Sequence, residues 1–471
     1  MQLADYIVLF GYLAVVMGVS TWAGRKQESA SSFFLGNRNM PWGMVMLSVV
    51  ATETSVLTFL SIPGLAYKTD LGFLQLALGY IIGRWIIALF LLPKYFEEGI
   101  ESTYEFIRNR WGASVQKFTS LIFLGTRILA DGVRLFMTAI PLSLITGWSY
   151  PVSIIIIGLC TLGYTLIGGI RSVIWADTIQ FGIYLLGAVI AFVVLDGLVD
   201  GGWSVIFETA GESSKLILFH FSFDAGFTGI IQYPYQFLTA VVGGLFLSMA
   251  SHGTDHLMVQ RLLTCRNIKG SQKALIGSGL LAFVQFAIFL VLGTGLWVFF
   301  EGKAMESDAV FSTFIINHLP AGLAGFIVAG IFSAAMSTLS SSINALASST
   351  MTDWLKGNRT INSEIKTSRI LSIFWAAILI GGATLFTSKE TPLVEIGLTI
   401  ASFTYGGLLG FFYLGWKNPE IQSKCVVIGF ISAILFMIFI VKFTLVAWPL
   451  YTLIGLSAMV LISKIMSKVI S

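Results

Sequence analysis

Charge is scarce in this chain: Asp, Glu, Lys and Arg together make up 11% of its 471 residues. So few charges cannot cover a soluble body of this size. With 56% of residues hydrophobic and a mean hydropathy of +0.86, the sequence reads instead as a polytopic membrane protein. Cysteine is equally sparse. Cys160, Cys265 and Cys425 lie within or at the ends of apolar runs without paired spacing, which excludes a disulfide framework and a thiolate metal site. No Pro-, Gly- or Ser-rich linker and no low-complexity tract divides the chain. The longest polar interval is about 199–232, so one membrane domain over 1–471 is expected. There is no H-E-x-x-H or G-x-S-x-G constellation, so no enzyme is expected. No repeated charged ring or filter-like loop marks a channel. No kinase or other output domain follows Ile465, so a solute sensor is not expected either.

Apolar runs of membrane-spanning length are abundant. Thirteen are found, at about 4–23, 41–66, 71–93, 118–145, 150–169, 172–198, 233–254, 274–300, 321–351, 369–388, 392–416, 424–441 and 444–465. Lipid offers no partners to backbone N–H and C=O groups, so these runs are helices and the fold is an all-α integral membrane protein. Most of the 28 Lys and Arg residues, Arg25, Lys26, Arg261, Lys356 and Arg359 among them, fall on one side of the helices. Lys68, Lys215, Lys303, Lys389 and Lys442 fall on the other, and Arg84, Arg127 and Arg134 lie within helices. This bias predicts an N-terminus outside and a C-terminus inside. It also accounts for the net charge of +4, so no nucleic-acid partner is expected. The first run lacks a basic leader and reads as a retained helix. A multi-pass protein of the plasma membrane (the inner membrane of a bacterium) is expected, as a monomer or weak oligomer.

Polar residues inside the spans are few, and each is a functional candidate because its burial in lipid is costly. The run 332–349, FSAAMSTLSSSINALASS, is dense in hydroxyls. At roughly 100° per residue, Ala334, Ser337, Thr338, Ser340, Ser341 and Asn344 share about half of the helix circumference. That face can hold a hard cation, or simply let helices pack closely. In the second span, VVATETSVLTFLSIPG, a polar group around Glu53 and the pair Pro63-Gly64 interrupt the apolar run, as where a helix unwinds and offers carbonyls to an ion. A similar interruption, GGLFLSMASHGTDHLMVQR, occurs five spans later and points to an inverted repeat. Its His252, Asp255 and His256 lack a third well-placed ligand for a transition metal. Arg127, Asp131 and Arg134 lie on one stripe of the fourth span with one positive charge in surplus, which suits a carboxylate solute. Alternatively, one of these arginines pairs with Glu53. Arg84 reads as structural. Asp177, in YTLIGGIRSVIWADTIQF, has no Lys or Arg on its own helical face, so a cation is a natural partner, with the hydroxyl run supplying co-ligands.

The segments FLSIPGLAY, YTLIGGIRSVIWADTIQ, MASHGTDHLMVQR and SAAMSTLSSSINALASS, in this order along the chain, resemble the sodium/solute symporter family, and the resemblance covers nearly the whole chain. The sialic acid and monocarboxylate/multivitamin branches are the most similar in character. The resemblance implies a leucine-transporter fold: a leading helix at 4–23, inverted five-helix repeats at about 41–198 and 233–416, and peripheral helices at 424–465. It implies a main sodium site made by carbonyls of Ala51, Thr54 and Ala334 and hydroxyls of Ser337 and Thr338. It also implies a second sodium site at Asp177, Ser337, Ser340 and Ser341. Solute contacts are expected at Glu53, Ser55, Phe73, Arg127, Asp131 and Phe246. The expected function is sodium-coupled import of a small, carboxylate-bearing solute (monocarboxylate, vitamin, sialic acid or amino acid) by alternating access. Proton-coupled symport, with Asp177 or Glu53 carrying the proton, and sodium/sugar symport are the alternatives.

Overall fold

A computed structural model of the chain describes residues 2–24, 29–54, 56–221, 226–320, 322–355, 361–385 and 393–470. The expected solute contact Ser55 and the loop cations Arg25, Lys26, Lys356, Arg359 and Lys389 lie outside the described residues. The main helices are α1 (Leu3–Ala23), α2 (Trp42–Glu53), α3 (Val56–Lys68), α4 (Phe73–Ile86), α5 (Glu105–Thr146), α6 (Tyr150–Leu198) and α7 (Phe237–Gly253). They continue as α8 (His256–Leu263), α9 (Ile268–Phe299), α10 (Leu323–Ser349), α11 (Ile361–Ala383), α12 (Leu393–Lys417), α13 (Ser423–Phe443) and α14 (Tyr451–Ile470). No strand forms among the described residues.

Eight of the described helices are long and apolar enough to cross a bilayer, or ten spans if each of two sharply bent pairs is counted as one. The runs expected at 150–169 and 172–198 are joined in α6, whose 49 residues would reach about 74 Å as one straight helix. A hydrocarbon core is only about 30 Å thick. Gly169, at φ +53°, breaks α6 into two arms. A Cβ there would lie 2.1 Å from the Phe33 carbonyl oxygen, so this turn accepts only glycine.

The two bent pairs are the interruptions seen in the sequence. The axes of α2 and α3 differ by 59°, and those of α7 and α8 by 61°. Thr54 leaves the helix at φ −79°, ψ 93°, so the last carbonyls of α2 lie at an end where intrahelical donors run out. At the second break Asp255 is extended, and its carboxylate accepts from the Leu257 N–H at 2.9 Å, capping α8. The seventh span therefore runs on to Leu263 rather than ending near 254.

α10 is the most enclosed of the eight, with every residue from Ile327 to Ser349 buried. Its start is pinned by α1, where the Asp5 carboxylate accepts from Gly322 N at 2.7 Å and Gly325 N at 2.9 Å. α4 and α7 cross backbone to backbone through small residues. A Cβ on Gly79 would fall 2.2 Å from Val241 O, and one on Gly244 2.2 Å from Leu76 O. Gly244→Ala is therefore expected to cost about 1–3 kcal/mol by overpacking. The readout is a lower thermal unfolding midpoint in detergent, and an unchanged midpoint would contradict this crossing.

Candidate functional site

Asp177, on the second arm of α6, is fully buried among α2, α8 and α10. Its Oδ1 accepts from Ser337 Oγ at 2.6 Å. Its Oδ2 accepts from Ser48 Oγ and, at 3.3 Å, from Arg261 Nη2. Ser341 Oγ donates to Ser337 O at 2.5 Å, and Ser340 Oγ donates to the same carbonyl at 3.1 Å. The hydroxyl face of α10 thus meets the carboxylate of α6, as the sequence expects.

Arg261 is the unexpected member. Its position among loop cations in the sequence reading gives way to complete burial, because α8 carries the chain two turns back into the interior. Its Nε donates to Ser48 Oγ at 3.0 Å, its Nη1 to Leu257 O at 2.7 Å, and its Nη2 also to Ser341 Oγ. Asp177 has no basic neighbour on its own helix but gains one from another helix.

The residues expected at the main sodium site lie at the end of α2 and on α10. Ala51 and Thr54 lie at the broken end of α2, and Ala334, Ser337 and Thr338 on α10 are all buried. Thr338 Oγ1 donates to Ala334 O at 3.1 Å. The Thr54 hydroxyl is taken up by Gln285, whose Nε2 donates to it at 2.7 Å. Val56, Asp131, Arg134, Ala334 and Thr338 border a cavity of about 10 Å³, the room that one water or small ion needs.

A second cavity, of about 80 Å³, lies against both helix breaks. Glu53, Phe73, Tyr80, Arg134, His252 and Phe286 are among its walls. Glu53 forms its ion pair with Arg84 rather than with Arg127 or Arg134, and Arg84 Nη1 also donates to Ser278 Oγ at 2.8 Å. Phe73 packs edge-on against Phe286, with ring centroids 5.1 Å apart. Asp131 borders the smaller cavity instead, where it accepts from Ser342 Oγ at 2.6 Å. Phe246 is half-buried and is not among the lining residues; Leu247 and Ser248 are.

The arginine ladder divides by environment. Arg127 is 2% exposed and lies 3.4 Å from both Asp131 and Asp255, with Tyr405 OH at 3.0 Å. Asp255, brought from the second break, offsets the surplus charge expected of the ladder. Arg134 has 20% of its side chain exposed and bonds Asp131 at 3.3 Å, while its Nε is buried without a partner. It borders both cavities. His252, Asp255 and His256 do not converge. His252 Nδ1 meets Ser251 Oγ at 2.8 Å, whereas His256 lies between Thr103 at 3.0 Å and Ser348 at 3.1 Å.

A model of the Sodium:solute symporter family matches residues 33–404. The chain belongs to that family. The symporter is 29% identical over 460 residues to the sodium/sialic acid symporter SiaT of Proteus mirabilis, covering 92% of this chain and 90% of that protein. It is 29% identical over 446 residues to the human sodium-coupled monocarboxylate transporter 1, covering 91% of this chain and 71% of that one. A solved structure of a Na+-coupled sialic acid symporter, substrate-bound and outward-open and reported to reveal a novel Na+-site, superposes with a TM-score of 0.90. It shares 27% identity, over 100% of this chain and 98% of that chain. The symporter is thus a sodium-coupled membrane transporter and not an enzyme.

Proposed function

We propose that this symporter imports a small carboxylate-bearing solute together with two sodium ions. Thirteen spans would run from an outside N-terminus to an inside C-terminus, with inverted repeats at about 41–198 and 233–416 rocking around the broken helices. The proposed main sodium site is Ala51, Thr54, Ala334, Ser337 and Thr338. The proposed second site is Asp177, Ser337, Ser340 and Ser341. The proposed solute groups are Arg134, Glu53 and Phe73, with Arg127 and Asp131 positioning Arg134 from behind.

One observation carries this reading: Arg134 borders both the solute cavity and the small cavity at Ala334 and Thr338. Arg134 shares the Asp131 carboxylate with Arg127, so its guanidinium still repels a sodium ion close beside it, and a solute carboxylate on Arg134 weakens that repulsion. Each ligand then favours the binding of the other, which is all that energetic coupling requires. The names of the relatives are consistent with such a solute, since sialic acids and monocarboxylates both carry a carboxylate.

A thermal-shift screen of the purified protein against organic acids, amino acids, sugars and vitamins, with and without sodium, would identify the solute, because a ligand of the folded state raises its stability. Carboxylates that stabilise only in sodium are expected. Asp177→Ala is expected to lower the Hill coefficient of sodium-dependent uptake toward one. An unchanged sodium curve would reject the second site.

A further inference from the structure

Asp177 already has a cation beside it, and the geometry around Ser341 gives that cation a role. We propose that Arg261 is a tethered cation that exchanges with sodium at the second site, so that the arrival of the ion at Asp177 displaces Nη2 and shifts α8. The proposal rests on the second-site reading above.

The hydroxyl protons make the case. Thr52 Oγ1 donates to Ser48 O at 2.8 Å, and Ser341 Oγ donates to Ser337 O at 2.5 Å. Each hydroxyl has one proton, so these two oxygens, 3.1 Å apart, turn lone pairs toward a common point. Asp177 Oδ2 adds a full negative charge close by, and Arg261 Nη2 bonds both this carboxylate and Ser341. It thereby does for these oxygens what a sodium ion would do. Ser341 cannot direct the same lone pair at both, and one carboxylate neutralises only one of them.

The guanidinium is planar and rigid, so Nη2 cannot leave Ser341 alone: its displacement turns the whole group and pulls on the bonds that Nε and Nη1 make to Ser48 Oγ and to the Leu257 carbonyl of α8. Arg261 stands near one end of α8. At the other end Asp255 caps the helix and faces Arg127 and Tyr405 against the solute cavity. A push at Arg261 is therefore delivered to that cavity.

The test is the sodium concentration giving half of the sodium-induced rise in unfolding midpoint, with choline holding ionic strength constant, in the full-length protein. Arg261→Gln, purified in sodium throughout, is expected to lower that concentration about tenfold or more, since a competing positive charge has gone. Arg261→Lys keeps the charge but cannot fork between Asp177 and Ser341, and about a threefold fall is expected. A merely structural arginine predicts the opposite, weaker sodium binding. A half-point at or above wild type in Arg261→Gln, or in Arg261→Lys should the first variant not fold, overturns the exchange while Asp177→Ala still alters the sodium curve. If Asp177→Ala leaves the curve unchanged, the second site itself is absent and the exchange falls with it.

Discussion

Ser337→Ala combined with Thr338→Ala is expected to abolish sodium-driven solute accumulation while the protein still inserts and folds. Sodium is a hard cation that binds through oxygen, and these two hydroxyls are two of the five oxygens proposed for the main site. Losing about 1.5 kcal/mol for each ligand compounds to roughly a 100-fold loss of sodium affinity. Folding should survive, because among the described residues Thr338 Oγ1 bonds only the Ala334 carbonyl of its own helix, and Ser340 and Ser341 keep the Ser337 carbonyl satisfied. Asp177 loses its Ser337 partner but keeps Ser48 and Arg261. Accumulation in proteoliposomes, set against unfolding midpoints of the same preparations, makes the measurement. Wild-type accumulation by the double variant would refute the main site.

Arg134→Gln is expected to raise the solute KM about 10–100-fold, the equivalent of one charge-assisted hydrogen bond. Stability should change little, because Arg134 is partly exposed and its side chain bonds only Asp131 among the described residues. Arg127→Gln should behave in the opposite way. Arg127 is buried between Asp131 and Asp255, and removing one partner from a buried ion network costs about 3–5 kcal/mol. Its unfolding midpoint should fall well below that of Arg134→Gln. If Arg127→Gln alone raised KM and left stability intact, the assignment of the two arginines would be reversed.

That distinction between two arginines marks where the sequence stops being informative. Arg127, Asp131 and Arg134 form a nearly symmetric ladder along one stripe; both guanidinium groups border the larger cavity, and nothing local says which of them is locked in a buried ion network. The decision comes from Asp255 and Tyr405, which the fold brings in from far along the chain. The partner of Glu53 is hidden for the same reason, since Arg84 lies on another helix. Arg261 is hidden as well, because MVQRLL reads as the edge of a loop, and only the capped restart at Asp255 makes it a buried helix. The hydroxyl face of α10 follows from helical periodicity, the two breaks follow from polar interruption of apolar runs, and both meet Asp177 or the cavities as expected.

The most direct test of the account is solute accumulation in proteoliposomes at fixed pH, with an inward sodium gradient or with sodium replaced by choline, using a carboxylate selected by the sodium-dependent thermal shift. Accumulation above the external concentration in sodium, and simple equilibration or no uptake in choline, is the predicted result. Accumulation that persists in choline would contradict sodium coupling and assign the driving force to protons at Asp177 or Glu53.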